Sequence, residues 1–170
     1  MKLAIIYATR YGSTEEVAYT IKELHPTDVV DLISIDSQKK LDLSSYDVII
    51  LGSPIYFGKP LPAFRQFIQL NISLLCQKPL GLFLVGINEK AALKAVEKAI
   101  PEKLINHAYA ISFLGGVFSI NTLSLWEKCM VRLLKNSGKE VSPFKPELLQ
   151  ILKFNRQISY HPNIRPSTSS

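Results

Sequence analysis

Apolar segments of strand length alternate with longer amphipathic segments along this chain. The segments predicted as strands are Lys2–Ala8, Asp28–Ser34, Asp47–Ser53, Pro79–Ile87 and Ala108–Gly115. The segments predicted as helices are Thr14–Leu24, Pro60–Leu74, Glu89–Ala99, Leu123–Asn136 and Pro146–Ile158. The run Val48–Leu51 is apolar at successive positions, which indicates a strand buried on both faces of a helix-covered parallel sheet. The alternation therefore predicts a doubly wound α/β fold.

The length and composition are those of one globular domain. The chain has 170 residues, of which 47% are hydrophobic and 20% are charged. We predict a domain over residues 1–160 and a disordered tail, rich in proline and serine, over residues 161–170. The N-terminal residues lack the pattern of a secretory signal, and no apolar run reaches the roughly 18 to 20 residues of a membrane span. A cytoplasmic location is the expectation.

The charge balance is basic, with a formal net charge of +6. Part of the excess comes from Lys128, Arg132, Lys135 and the C-terminal segment, which predicts an anionic partner or a solvated basic face. No nucleic-acid-binding motif is present, so no nucleic-acid partner is predicted. Cys76 and Cys129 form no metal-ligand cluster with the histidines, and no metal site is predicted.

A candidate phosphate loop follows the first strand and leads directly into an amphipathic helix. Its residues are Thr9, Arg10, Tyr11, Gly12, Ser13 and Thr14. Backbone N–H groups and hydroxyls meet there at the positive end of a helix, and Gly12 allows close approach of the backbone to an anion. In the alternative interpretation, Ser13 or Thr14 only caps the helix. Arg10 would neutralise a phosphate, reach a substrate carboxylate, or lie in solvent.

A second unusual loop follows the third predicted strand and places two aromatic residues between glycines. Its candidate site residues are Ser53, Pro54, Ile55, Tyr56, Phe57 and Gly58. A planar apolar ligand requires an aromatic platform and a backbone close to its edge, which Tyr56, Phe57 and Gly58 would supply. In a sheet of strand order 2-1-3-4-5, the loops after strands one and three flank the switch point where ligands bind.

These two loops carry a family resemblance. The segment Thr9–Thr14 resembles the phosphate loop of flavodoxins, and Gly52–Gly58 resembles the ring-contacting loop of flavodoxin-like proteins. Together with Ala63–Phe67 and the pair Gly115–Gly116, they are similar to the menaquinone-dependent protoporphyrinogen oxidase group of flavodoxin-domain proteins. The resemblance implies a five-stranded parallel sheet of order 2-1-3-4-5 with helices on both faces, and FMN as the cofactor. The resemblance also implies that Asn88, in the loop after the fourth strand, contacts the cofactor.

The favoured function is an FMN-dependent oxidoreductase that acts on a small molecule or a quinone. A one-electron carrier of the flavodoxin type and an interaction module without flavin remain the alternatives. The segment after the fourth strand lacks the Gly-Asp sequence of carrier flavodoxins, which favours the enzyme. No nucleophile–base pair is recognisable, so no catalytic residue is assigned. The predicted helix Leu123–Asn136 either covers the sheet or makes peripheral contact with an anionic membrane.

Overall fold

The strand and helix pattern is realised as a parallel sheet with helices on both faces. The computed structural model describes residues 1–35 and 41–115 together with Leu152. The strands are β1 (Lys2–Tyr7), β2 (Val29–Ser34), β3 (Val48–Tyr56), β4 (Lys59–Pro60), β5 (Leu80–Val85) and β6 (Ala110–Phe113). The helices are α1 (Ser13–Glu23), α2 (Pro62–Leu75), α3 (Glu89–Ala99) and α4 (Glu102–His107).

The main sheet has the order β2-β1-β3-β5-β6, and all four neighbouring pairs in it are parallel. Counted along this sheet alone, the order is 2-1-3-4-5, which confirms the predicted doubly wound fold. The chain leaves β1 towards β2 on one side and reaches β3 on the other side. The switch point therefore lies between the carboxyl ends of β1 and β3.

Side chains of β1 alternate between two hydrophobic cores, one on each face of the sheet. Leu3 and Ile5 belong to the core covered by α1, whereas Ala4 and Ile6 belong to the core covered by α2 and α3. This alternation explains why the strands read as continuous apolar runs, since each face of the sheet must be buried. It also fixes the register, because a shift by one residue would exchange the two faces.

Three local predictions need correction. The third strand does not end at Ser53 but continues to Tyr56, because its last residues pair with the short strand β4. The second helix begins at Pro62 rather than at Pro60, since Lys59–Pro60 forms β4. The short helix α4 before the last strand was not predicted. The predicted helices Leu123–Asn136 and Pro146–Ile158 and the predicted tail lie outside the described residues, and the domain extent stays a prediction.

Within the described ranges, no helix is both long enough and apolar enough to cross a membrane.

Candidate functional site

The loop after β1 is shaped by its own polar groups. The backbone N–H of Gly12 donates to Oγ1 of Thr9 at 3.0 Å, which closes the loop. Gly12 has a φ of 88°, in the left-handed region, and stands at the N-cap position of α1 without any side-chain capping bond. The alternative in which Ser13 or Thr14 caps the helix is therefore wrong. A hydroxyl that accepts one hydrogen bond keeps its own proton to donate, so Thr9 retains a donor for an anion.

The first turn of α1 contains a buried hydroxyl that has no partner. Thr14 is fully buried, and its Oγ1 makes no hydrogen bond. A buried hydroxyl without a hydrogen-bond partner lowers the stability of the fold by about 1 to 3 kcal/mol. Such an atom at a helix N-terminus therefore indicates a place where a ligand could bind. The first-turn N–H groups also have no intrahelical acceptor. A phosphoryl group would satisfy both kinds of donor.

A hydrogen bond between β1 and α1 holds this helix end in place. Oη of Tyr7, the last residue of β1, donates to Oε1 of Glu15 at 2.8 Å. Burial and this bond to a carboxylate raise the pKa of the Tyr7 phenol well above its ordinary value, so Tyr7 remains a donor at neutral pH. Sequence reasoning missed this pair. The spacing of eight residues across a strand-to-helix turn was the available signal.

The second candidate loop is an antiparallel hairpin rather than an open loop. Ile55 pairs with Pro60 and Tyr56 pairs with Lys59, so only Phe57 and Gly58 form the turn. Both turn residues have positive φ, at 50° and 70°, which is the sign pattern of a two-residue type I′ hairpin. An aromatic residue in this backbone region is unusual, and such strain is concentrated at functional sites.

Ser53 and Pro54 have structural roles within β3. Oγ of Ser53 accepts the N–H of Leu61 at 3.2 Å and also bonds the carbonyl of Pro54, which ties the hairpin to the start of α2. The ladder between β1 and β3 includes a bond from the Ala8 N–H to the Gly52 carbonyl. In this register the next donor on β3 would be the nitrogen of Pro54, which carries no hydrogen. Pro54 therefore ends the hydrogen-bonded ladder between β1 and β3.

Two tyrosines bring the two loops together. The rings of Tyr11 and Tyr56 lie 6.0 Å apart at an interplanar angle of 87°, an edge-to-face contact. Arg10 places its guanidinium carbon 5.5 Å from the centre of the Tyr11 ring. Phe57, the residue after Tyr56, is 76% exposed. The structure thus brings the candidate phosphate loop and the aromatic hairpin together at the carboxyl edge of the sheet. We call the region between these two loops the mouth of the site.

Asn88 lies at the same edge, directly before α3. Its carbonyl accepts the N–H of Ala92 in the first turn of that helix, and its side chain is half-buried. The preceding loop is held by a bond of 3.0 Å from the Gly86 N–H to the Gly115 carbonyl. Gly86 also packs closely against Ile55 of β3. Asn88 therefore follows the strand next to β3, and its contact with a ligand stays a prediction.

Residues 4–143 match a protein family described as Flavodoxin domain. The chain belongs to this flavodoxin-domain family. The match covers most of the chain and confirms the resemblance inferred from the two loops. In doubly wound sheets of this order ligands bind at the switch point, and the two described loops converge there.

Known proteins similar to this flavodoxin-domain chain include an enzyme. The chain is 24% identical over 180 residues to protoporphyrinogen IX dehydrogenase [quinone] of Escherichia coli (strain K12), covering 94% of this chain and 96% of the relative. Its fold resembles that of a WrbA-like flavodoxin protein from Agrobacterium tumefaciens, with a TM-score of 0.53, 18% identity, and 79% and 98% of the two chains covered. A flavoprotein in complex with FMN from Lactobacillus acidophilus aligns with a TM-score of 0.50 at 16% identity, covering 66% of this chain and 92% of that one.

Replacing Thr14, whose hydroxyl has no partner, is expected to raise the stability of the ligand-free protein and to lower its affinity for FMN. Thr14→Val removes a buried unsatisfied polar group, so we expect the ligand-free protein to gain about 1 kcal/mol of unfolding free energy. The same change removes a phosphate donor, so FMN affinity should fall about tenfold. Urea unfolding of the ligand-free protein and fluorescence titration with FMN measure the two effects.

Thr20→Val is the matched control in the same helix. Oγ1 of Thr20 already donates to the Glu16 carbonyl at 3.0 Å, so its loss should leave FMN affinity unchanged. A Thr14→Val protein that is less stable and binds FMN as tightly as the wild type would show that its hydroxyl serves the fold alone.

Proposed function

We propose that this chain is an FMN-dependent oxidoreductase that exchanges electrons with a small molecule or a quinone. The observation that carries the proposal is the buried, unpartnered hydroxyl of Thr14 in a helix N-terminus that shares one crevice with the Tyr11–Tyr56 contact. One part of this crevice suits a phosphate and the other suits a planar ring. FMN has both parts, and when bound it supplies the redox chemistry.

The residues divide into those that bind the phosphate and those that contact the ring. Thr9, Ser13 and Thr14 offer hydroxyls, and the start of α1 offers backbone N–H groups and its positive dipole end. Tyr56 and Phe57 offer aromatic surface on the hairpin. The open space beside Gly58, where a Cβ would meet no atom within 4 Å, leaves its backbone accessible to the edge of a ring.

Charge at the mouth favours an anionic or neutral small molecule over a basic protein partner. Arg10 and Lys59 are both exposed on the two loops that form the mouth. A carrier that docks on basic proteins uses an acidic face around its cofactor, whereas these loops bring cations there. The similarity to a quinone-dependent dehydrogenase of protoporphyrinogen IX supports a quinone acceptor and makes protoporphyrinogen a substrate to test.

The decisive experiment measures turnover of the FMN-loaded protein. We expect steady-state reduction of a menaquinone analogue with either protoporphyrinogen or a nicotinamide as the donor. Arg10→Gln should raise the KM for a carboxylate-bearing donor more than it changes kcat, because the guanidinium acts by binding. A protein that holds FMN and turns over none of these compounds would overturn the enzyme proposal and favour the carrier. A cytoplasmic location stays a prediction.

A further inference from the structure

Helix α2 has a second apolar face besides the one that it buries in the core. Ala63, Phe67, Leu70 and Leu74 follow one another at spacings of four, three and four residues, which places them on one stripe of the helix. Leu70 is 76% exposed and Leu74 is 37% exposed, whereas Ala63 and Phe67 are half-buried. We call these four residues the outer stripe of α2.

The outer stripe is not needed to attach α2 to the sheet. The buried face of the helix consists of Phe64, Ile68 and Leu75, all fully buried in the core beneath it. Phe67 is partly buried and packs against that core, whereas Leu70 is not part of it. Large exposed apolar side chains that form one patch indicate an interaction surface.

The exposed positions of α2 also carry no charge, unlike those of the helices on either side of it in the chain. In α2 the exposed residues other than the leucines are Pro62, Gln66, Gln69 and Ser73. In α1 and α3 the exposed charged residues are Glu16, Lys22, Glu23, Lys90, Lys94, Glu97 and Lys98. The one charged residue within α2 is Arg65, which is not among the exposed residues and whose Nε is buried.

We propose that the outer stripe of α2 packs against the same stripe of a second copy of this chain, with the two helices antiparallel about a two-fold axis. The net charge of +6 opposes the approach of two copies at most faces, and a neutral stripe avoids that repulsion locally. An anionic membrane would instead favour lysines beside the apolar residues, which α2 lacks. The absence of charge on this face therefore favours a second copy over an anionic membrane as the occupant.

The order of side chain sizes along the stripe suits this pairing with itself. In an antiparallel pair centred between Phe67 and Leu70, each Phe67 faces Leu70 of the second copy. Each Ala63 then faces Leu74, so a small residue meets a large one at both ends. Such a contact is isologous, because the same surface serves both partners. The spacing is also that of the apolar seam in paired helices.

The described C-terminal residue lies on the other side of the sheet. Leu152 is fully buried in the core beneath α1, and its carbonyl accepts a hydrogen bond of 3.0 Å from Tyr109 Oη. The outer stripe of α2 lies on the opposite face, over the core that α2 and α3 cover. Leu152 therefore does not cover the outer stripe of α2.

Analytical ultracentrifugation of the full chain tests the proposal. We expect the wild-type protein to sediment at twice the chain mass of 19.1 kDa at concentrations of roughly 10 to 100 μM. Leu70→Glu should weaken this association by about 100-fold or more, because two carboxylates would be buried at the centre of the pair. Circular dichroism and FMN content verify that the variant is folded, as the exposure of Leu70 leads us to expect.

Leu93→Glu is the matched control, since Leu93 is 41% exposed on α3 and the charge change is the same. It should leave the dimer intact. A wild-type protein that stays monomeric over this range, or equal weakening by both variants, would overturn the proposal. Wild-type monomers that bind phosphatidylglycerol vesicles through Leu70 would also overturn it and assign the stripe to lipid. These outcomes are independent of turnover, so they leave the proposed enzymatic function unaffected.

Discussion

Gly12→Val is expected to reduce FMN affinity by about 100-fold or more. Gly12 has a φ of 88°, a conformation that costs an L residue roughly 1 to 2 kcal/mol and a β-branched residue more. A Cβ at this position would meet no protein atom within 4 Å, so the added side chain would extend into open space beside the candidate phosphate loop. We therefore expect the variant to strain the loop and, if the phosphate binds here, to occupy space that the phosphate needs.

Riboflavin separates these effects because it has the ring of FMN without the phosphate. We expect fluorescence titrations to show that Gly12→Val weakens FMN binding much more than riboflavin binding, so the preference of the protein for FMN is lost. Gly115→Val controls for backbone strain, since Gly115, two residues after the end of β6, has a φ of 77°. It should lower stability but keep the preference for FMN. An unchanged preference in Gly12→Val would place the phosphate elsewhere.

The fold was predictable because its determinants are local and periodic. Continuous apolar runs follow from strands that are buried on both faces, and β1 shows this directly by sending Leu3 and Ala4 to different cores. The turn between β1 and α1, where we predict the phosphate to bind, was recognisable for a similar reason. A glycine and hydroxyl residues between a strand and a helix are adjacent in sequence, so no tertiary information is needed to find them.

The sequence predictions failed where a tertiary contact outweighs the local preference of the residues for a strand, a helix or a loop. Gly52, Ser53 and Pro54 are residues typical of loops, yet β3 continues through them because β5 and β4 supply partners for this part of the strand. The contact between Tyr11 and Tyr56 joins residues that are 45 positions apart in the sequence. Whether Thr14 Oγ1 finds a hydrogen-bond partner depends on which groups the folded chain packs next to it. The sequence can nominate such residues but cannot show which of them meet.

Gly52→Ala is expected to lower the unfolding free energy by about 3 kcal/mol, a large effect for the addition of one methyl group. Gly52 pairs with Phe83 across β3 and β5, and a Cβ built on Gly52 would overlap the ring of Phe83. Phe83 is fully buried, so the ring cannot move into solvent. The glycine carbonyl also accepts the N–H of Ala8, where the phosphate loop begins, and a displaced β3 should weaken FMN binding as well.

The double variant Gly52→Ala/Phe83→Leu tests whether the ring is the cause. Leucine is smaller than the ring and leaves space for the new methyl group, so the double variant should lose less stability than the sum of the two single changes. The expected coupling in urea unfolding is about 1 to 3 kcal/mol. In Gly81→Ala, a Cβ would lie 2.8 Å from the hydroxyl at the end of the Tyr109 side chain, so this variant should lose less stability than Gly52→Ala. Strict additivity in the double variant would show that Gly52 is required for a backbone reason, and not because the Phe83 ring occupies the place of its side chain.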